Sequence, residues 1–96
     1  MTEIEALRAE IADLRLSLAA ERLDPDAGTD LGYELHSGVY TRDVEGGHIE
    51  VERREESQGR WRSYRFARGE VVPPWRSVWG ETAREVMRKA NELEPK

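Results

Sequence analysis

Ninety-six residues carrying a net charge of −5, with 36% charged and 38% hydrophobic side chains, make one small domain plus an appendage rather than a multidomain chain. The absence of cysteine excludes a disulfide scaffold, a thiol nucleophile and a thiolate metal site, and it fits a reducing, cytoplasmic compartment. No apolar run approaches the roughly 18 residues of a membrane span, no signal-peptide pattern opens the chain, and the acidic balance weighs against a general nucleic-acid binder.

The first segment, 1–23, has a seven-residue apolar repeat: Ile4, Ile11 and Leu18 fall at heptad position a, Leu7 and Leu14 at d. Glu3 and Glu10 then occupy g, and Arg8, Arg15 and Arg22 occupy e. In a parallel pair of helices g faces the following e of the partner, so Glu3 meets Arg8 and Glu10 meets Arg15 of the second copy. The segment therefore reads as a dimerisation helix with Thr2 as its N-cap. Its seam weakens at Glu21, the next d position, and Leu16 and Leu23 lie off it, placed to touch the rest of the protein.

Asp24–Asp30 is a helix stop and a hinge, because Pro25 disfavours helix at Asp24 and Gly28 accepts positive φ. Its alternating acids suggest a calcium loop, but the twelfth position counted from Asp24 is Leu35 instead of the bidentate carboxylate such a loop needs, so no metal is expected.

A module over 31–96 follows. Leu31, Tyr33 and Leu35 alternate with polar residues as a half-buried strand does, and a break marked by Gly38 reconciles their parity with that of Tyr40 and Val44. Gly46-Gly47 is expected as a hairpin turn, pairing Val44 with Ile49 and Arg42 with Val51. A second turn at Gln58-Gly59 would pair Val51 with Phe66, Arg53 with Tyr64, Glu55 with Arg62 and Glu52 with Arg65. The expected result is a meander of three or four antiparallel strands. After an extended Pro73-Pro74 connector comes a C-terminal helix, begun at Ser77 or by the capping-box spacing of Thr82 and Glu85. Its stripe of Trp79, Ala83, Val86, Ala90 and Leu93, with Met87 at the edge, is expected to cover the sheet. The fold class is α+β.

Charge is distributed unevenly. Residues 58–76 hold Arg60, Arg62, Arg65, Arg68 and Arg76 against Glu70 alone, for +4, whereas 1–30 carry −5, 31–57 carry −4 and the remainder cancels. This basic stretch interleaves Trp61, Tyr64 and Phe66, the composition of sheets that stack bases, yet the expected register commits Arg62 and Arg65 to acids and leaves Trp61, Arg60 and Arg68 for a ligand. Trp75, held on the Pro-Pro connector, is the leading candidate for an exposed protein-binding anchor, and Trp79 is assigned to the core. His36 and His48 lack the partners a catalytic site requires. The reading is thus a non-enzymatic homodimer without cofactor that binds another protein, as a small bacterial or phage-encoded, host-directed modulator would. The alternatives are a nucleic-acid-associated protein using 58–76 and a structural or assembly component.

Overall fold

A computed structural model describes residues 2–68, 70–71 and 77–94. Helix α1 (Glu3–Glu21) starts where the Thr2 hydroxyl accepts the Glu5 amide and ends in a reverse turn with Leu23 at φ 56. There the amides of Leu23 and Asp24 reach back to the carbonyls of Ala20 and Ala19, so the last turn's orphan acceptors are satisfied without the glycine usual at such a position. The stretch expected to act as a hinge forms a 3-10 helix, Pro25–Leu31, with Ala27 and Gly28 buried; the Asp24 carboxylate caps it through the Asp26 amide.

Strands β1 (Glu34–His36), β2 (Val39–Val44), β3 (Gly47–Glu56), β4 (Gly59–Ala67) and β5 (Glu70–Val71) form an antiparallel sheet in sequence order. A two-residue β6 (Trp79–Gly80) pairs with β4 beside β5, on the edge of β4 that β3 leaves free. The sheet is therefore five strands wide, not three or four. Helix α2 (Ala83–Leu93) packs on it, with Thr82 as N-cap accepting the Glu85 amide. The second half of the capping box is displaced: the Glu85 carboxylate takes the amide of Glu81 instead of Thr82.

The strand break falls at Ser37-Gly38, whose φ values of 52 and 80 match the twist of a tight hairpin. Both later registers differ from expectation. The second turn is Glu45-Gly46, with Gly46 at φ 80, so Val44 faces Gly47, Arg42 faces Ile49 and Tyr40 faces Val51. Gly47 is a strand residue, paired with Val44 and Ala67, and a Cβ there would collide with the Phe66 carbonyl oxygen. In the third hairpin Glu56 faces Gly59, and a bulge sets Arg54 and Glu55 against Arg60 alone, with Glu55 at φ 48. The extra residue reverses the faces of β4: Val51 pairs with Ser63, Glu52 with Arg62 and Arg53 with Trp61. None of the four cross-strand pairs expected there forms, and Phe66 lies on the face away from the core.

The covered face of the sheet presents Tyr40, Ile49, Val51, Trp61 and Ser63, packed with Ala83, Val86, Met87 and Ala90 of α2, Ala27 and Tyr33, and Ala20 of α1. Trp61 is fully buried at the centre, while Trp79 is only half-buried on β6, the reverse of their expected roles. Met87 is central rather than marginal, and Leu93 is exposed at the end of α2. Three arginines are also buried. Arg42 donates to the Asn91 side chain at 3.0 Å and to the Glu94 carbonyl at 3.2 Å, and the Tyr33 hydroxyl donates to the same Asn91 oxygen. Arg65 meets the Glu94 carboxylate at 2.9 Å and donates to the carbonyls of Glu45 and Phe66.

The third, Arg84, joins three elements. It is bidentate to Asp30 at 2.7 and 2.8 Å, reaches Asp13 of α1 at 2.7 Å, and donates to the Ala27 carbonyl at 2.8 Å. Charge-assisted bonds in this number offset the cost of removing a guanidinium from water. No helix among the described residues is long and apolar enough to cross a membrane.

Candidate functional site

The most conspicuous surface is on α1. Residues 13, 17 and 20 recur at helical spacing and turn one face toward the module, where Ser17 and Ala20 are buried and Leu16 is half-buried. That face is held at two points. Near its middle, Asp13 is shared by Arg84 and Arg88 of α2, and hydrogen bonds from Arg88 and Arg84 hold its carboxyl below the usual carboxylate range. At its end, Glu21 accepts Arg53 at 2.5 Å, Arg60 at 2.9 Å and the Trp61 indole N–H at 3.4 Å. The weak d position of the repeat is thus the residue that anchors the helix to the sheet.

The opposite face carries the whole apolar seam. Ile4, Leu7, Ile11, Leu14 and Leu18 are between 49% and 63% exposed, and no other group of large aliphatics among the described residues is so uncovered. Glu3, Arg8, Glu10 and Arg15 flank it, all exposed and none with an ion-pair partner within the described chain. One stripe of α1 therefore fastens it to its own module and the other remains free, with its flanking charges unmatched.

The basic segment is largely engaged by the chain itself. Arg60 is tied to Glu21 and, at 3.4 Å, to Glu55; Arg65 is buried against Glu94. The Arg62 guanidinium lies 4.5 Å from the Tyr64 ring centre and 4.7 Å from that of Trp79, a cation held between two aromatic faces on the uncovered side of the sheet. Trp61, expected as a ligand contact, is a core residue with Arg53 over its ring at 5.2 Å. Arg68 is exposed at φ 55 in the turn after β4. Trp75 and the Pro73-Pro74 connector lie outside the described residues. His36 pairs with Glu34 at 3.2 Å, while His48 meets Glu50 at 2.9 Å and stacks on Phe66 at 4.7 Å.

A second feature is a polar groove of about 640 Å³ at the β1 side of the sheet. The end of the 3-10 helix, β1, β2 and Asn91 line it, and its side chains include Asp30, Glu34, His36, Thr41, Arg42 and Asp43. Among the described residues no three His, Cys, Asp or Glu side chains are placed to hold a metal ion.

The polar network around buried Arg84 and Arg42, which takes in half-buried Asp13 and Asn91 and the exposed Asp30, escapes a reading built on apolar periodicity. Its trace in the sequence is the i, i+3, i+7 spacing of Arg84, Met87 and Asn91, which widens the buried stripe of α2 by a polar flank. No protein-family model matches the chain, and comparison with curated proteins and with solved structures finds no significant match.

Proposed function

We propose that this protein is a non-enzymatic, homodimeric accessory protein that binds another protein through its β/α module, with α1 as the pairing element. The observation that carries the reading is the free seam: five large aliphatics, 49% to 63% exposed, on the face of α1 turned away from its own module. Covering them would contribute roughly 1 kcal/mol per side chain, since each is already partly shielded. The flanking charges specify a second copy in parallel. Parallel pairing sets Glu3 against Arg8 and Glu10 against Arg15, whereas antiparallel pairing sets g against g and e against e, opposing like charges. Two modules joined in this way gain avidity for a repeated or dimeric target.

Light scattering tests the reading on the intact chain. A dimer at micromolar concentration, converted to a folded monomer by Leu7→Lys with Leu14→Lys, supports it; a monomer for the unaltered chain sinks it. The nucleic-acid alternative has less support, because Arg60, Arg62 and Arg65 have partners within the chain and leave little positive charge for counterion release.

A further inference from the structure

We propose that the polar groove beside β2 takes a short extended segment of a partner protein carrying Lys or Arg, which pairs with the free edge of β2 at Asp43. The inference rests on the protein-binding reading above and names the surface and the chemistry of the partner.

The backbone argument comes first. β1 pairs with β2 only over Val39, Tyr40 and Thr41, so residues 42–44 have β3 on one side and no strand on the other. Both adjoining hairpins have two-residue loops, closed by His36 with Val39 and by Val44 with Gly47. Alternation along an antiparallel strand then directs the N–H and C=O of residues 40, 42 and 44 toward β3 and those of 39, 41 and 43 toward β1. At Asp43 no chain stands opposite. Tyr33, the next residue along the line of β1, has its amide committed to the Gly28 carbonyl at 2.9 Å, and Gly32, at φ 92, carries the backbone away. The groove occupies the place where β1 would continue, with Gly32, Thr41 and Asp43 on its wall. An extended segment entering it finds one unpaired donor and acceptor, the requirement for adding a strand to a sheet edge.

Side chains then select the charge. Asp30, Glu34 and Asp43 line the groove; Asp30 is already held bidentately by Arg84, so Glu34, whose side chain is 76% exposed, and Asp43 carry its charge. Glu34 is paired only with an imidazole, and Asp43 has no partner among the described residues. Arg42 is the one Lys or Arg on the wall, and its Nη1 points beneath to Asn91 and the Glu94 carbonyl. An ammonium or guanidinium group entering here meets uncompensated carboxylates, whereas an acidic segment is repelled. The groove is large enough for a single long side chain and the backbone around it.

The probes are two pentapeptides, acetylated and amidated, of sequence Thr-Lys-Val-Lys-Thr and Thr-Glu-Val-Glu-Thr, titrated into the full chain with its amide resonances recorded. The proposal expects the lysine peptide to bind, with shifts centred on residues 41–44, and the glutamate peptide to bind at least tenfold more weakly. N-methylation of the central valine, which removes a backbone donor, and the chain variant Glu34→Gln with Asp43→Asn should each weaken binding tenfold or more while the far-ultraviolet spectrum is unchanged. Equal binding of the two peptides, shifts confined to other surfaces, or no binding at millimolar peptide would overturn it. If the unaltered chain binds neither peptide and the double variant self-associates, the acids serve only to guard an open edge. Repeating the titration on the Leu7→Lys, Leu14→Lys chain keeps failure of the groove distinct from failure of the pairing helix, because binding per chain should not change.

Discussion

At the scale of single residues, Arg84 has the most consequence, because one guanidinium holds α1, the 3-10 helix and α2 together. Arg84→Ala should destabilise the fold by about 2–4 kcal/mol in urea denaturation, somewhat less than a fully buried pair would lose, since Asp13 and Asp30 are partly exposed and can rehydrate. The same contacts predict a pH dependence. Hydrogen bonds from Arg88 and Arg84 depress the Asp13 carboxyl, and those from Arg84 depress Asp30, so both groups hold fewer protons folded than unfolded. Their contribution to stability is complete above the ordinary carboxylate value near about 4 and is lost as pH falls from there through the lower folded values. Melting temperatures of Asp13→Asn measured from pH 7 to pH 2 should show a shallower acid limb than those of the unaltered chain. A steeper or unchanged limb would mean that Asp13 does not bear the charge that the two arginines share.

At the scale of elements, the instructive case is the β3–β4 hairpin. The alternation in 47–53 and 59–67 made both strands legible, and the polar run Glu55–Gly59 located the turn to within one residue. Its register was not legible, because the one-residue bulge at Arg54-Glu55 leaves no compositional mark: Glu55 adopts φ 48 without being glycine or asparagine. That one residue exchanged Trp61 and Phe66 between core and surface and so misplaced the candidate contacts, while the exposed seam of α1, written in simple apolar spacing, was legible almost completely. Two measurements follow. Trp61→Ala should cost about 3–5 kcal/mol and Trp79→Ala clearly less, because the first ring is wholly enclosed and the second half-exposed beside Arg62. Glu55→Gly should be neutral or stabilise by up to about 1 kcal/mol, since glycine takes the left-handed conformation without steric cost; a loss of stability would show the bulge to be held by the side-chain contact with Arg60.

At the scale of the whole molecule, α1 belongs to the module as much as to any interface. Removing residues 1–23 strips Ala20 from the core and Glu21 from Arg53, Arg60 and Trp61, so the truncated chain should melt well below the Leu7→Lys, Leu14→Lys chain even at concentrations where neither pairs. For the unaltered chain, pairing through α1 predicts a melting temperature that rises with protein concentration, and a concentration-independent one for the seam variant. The bond between Asp13 and Arg84 spans 71 residues of sequence, which gives the ribosome a part in the assembly. At about 5–20 residues per second, Arg84 is added roughly 4–14 s after Asp13; until then the middle of α1 lacks its contacts with α2, and until Arg53, Arg60 and Trp61 are added its end lacks those at Glu21 as well. If α1 pairs as proposed, a nascent helix with its apolar stripe uncovered could meet another on a neighbouring ribosome of the same message, and the two copies of the dimer would then be siblings, joined before either was finished.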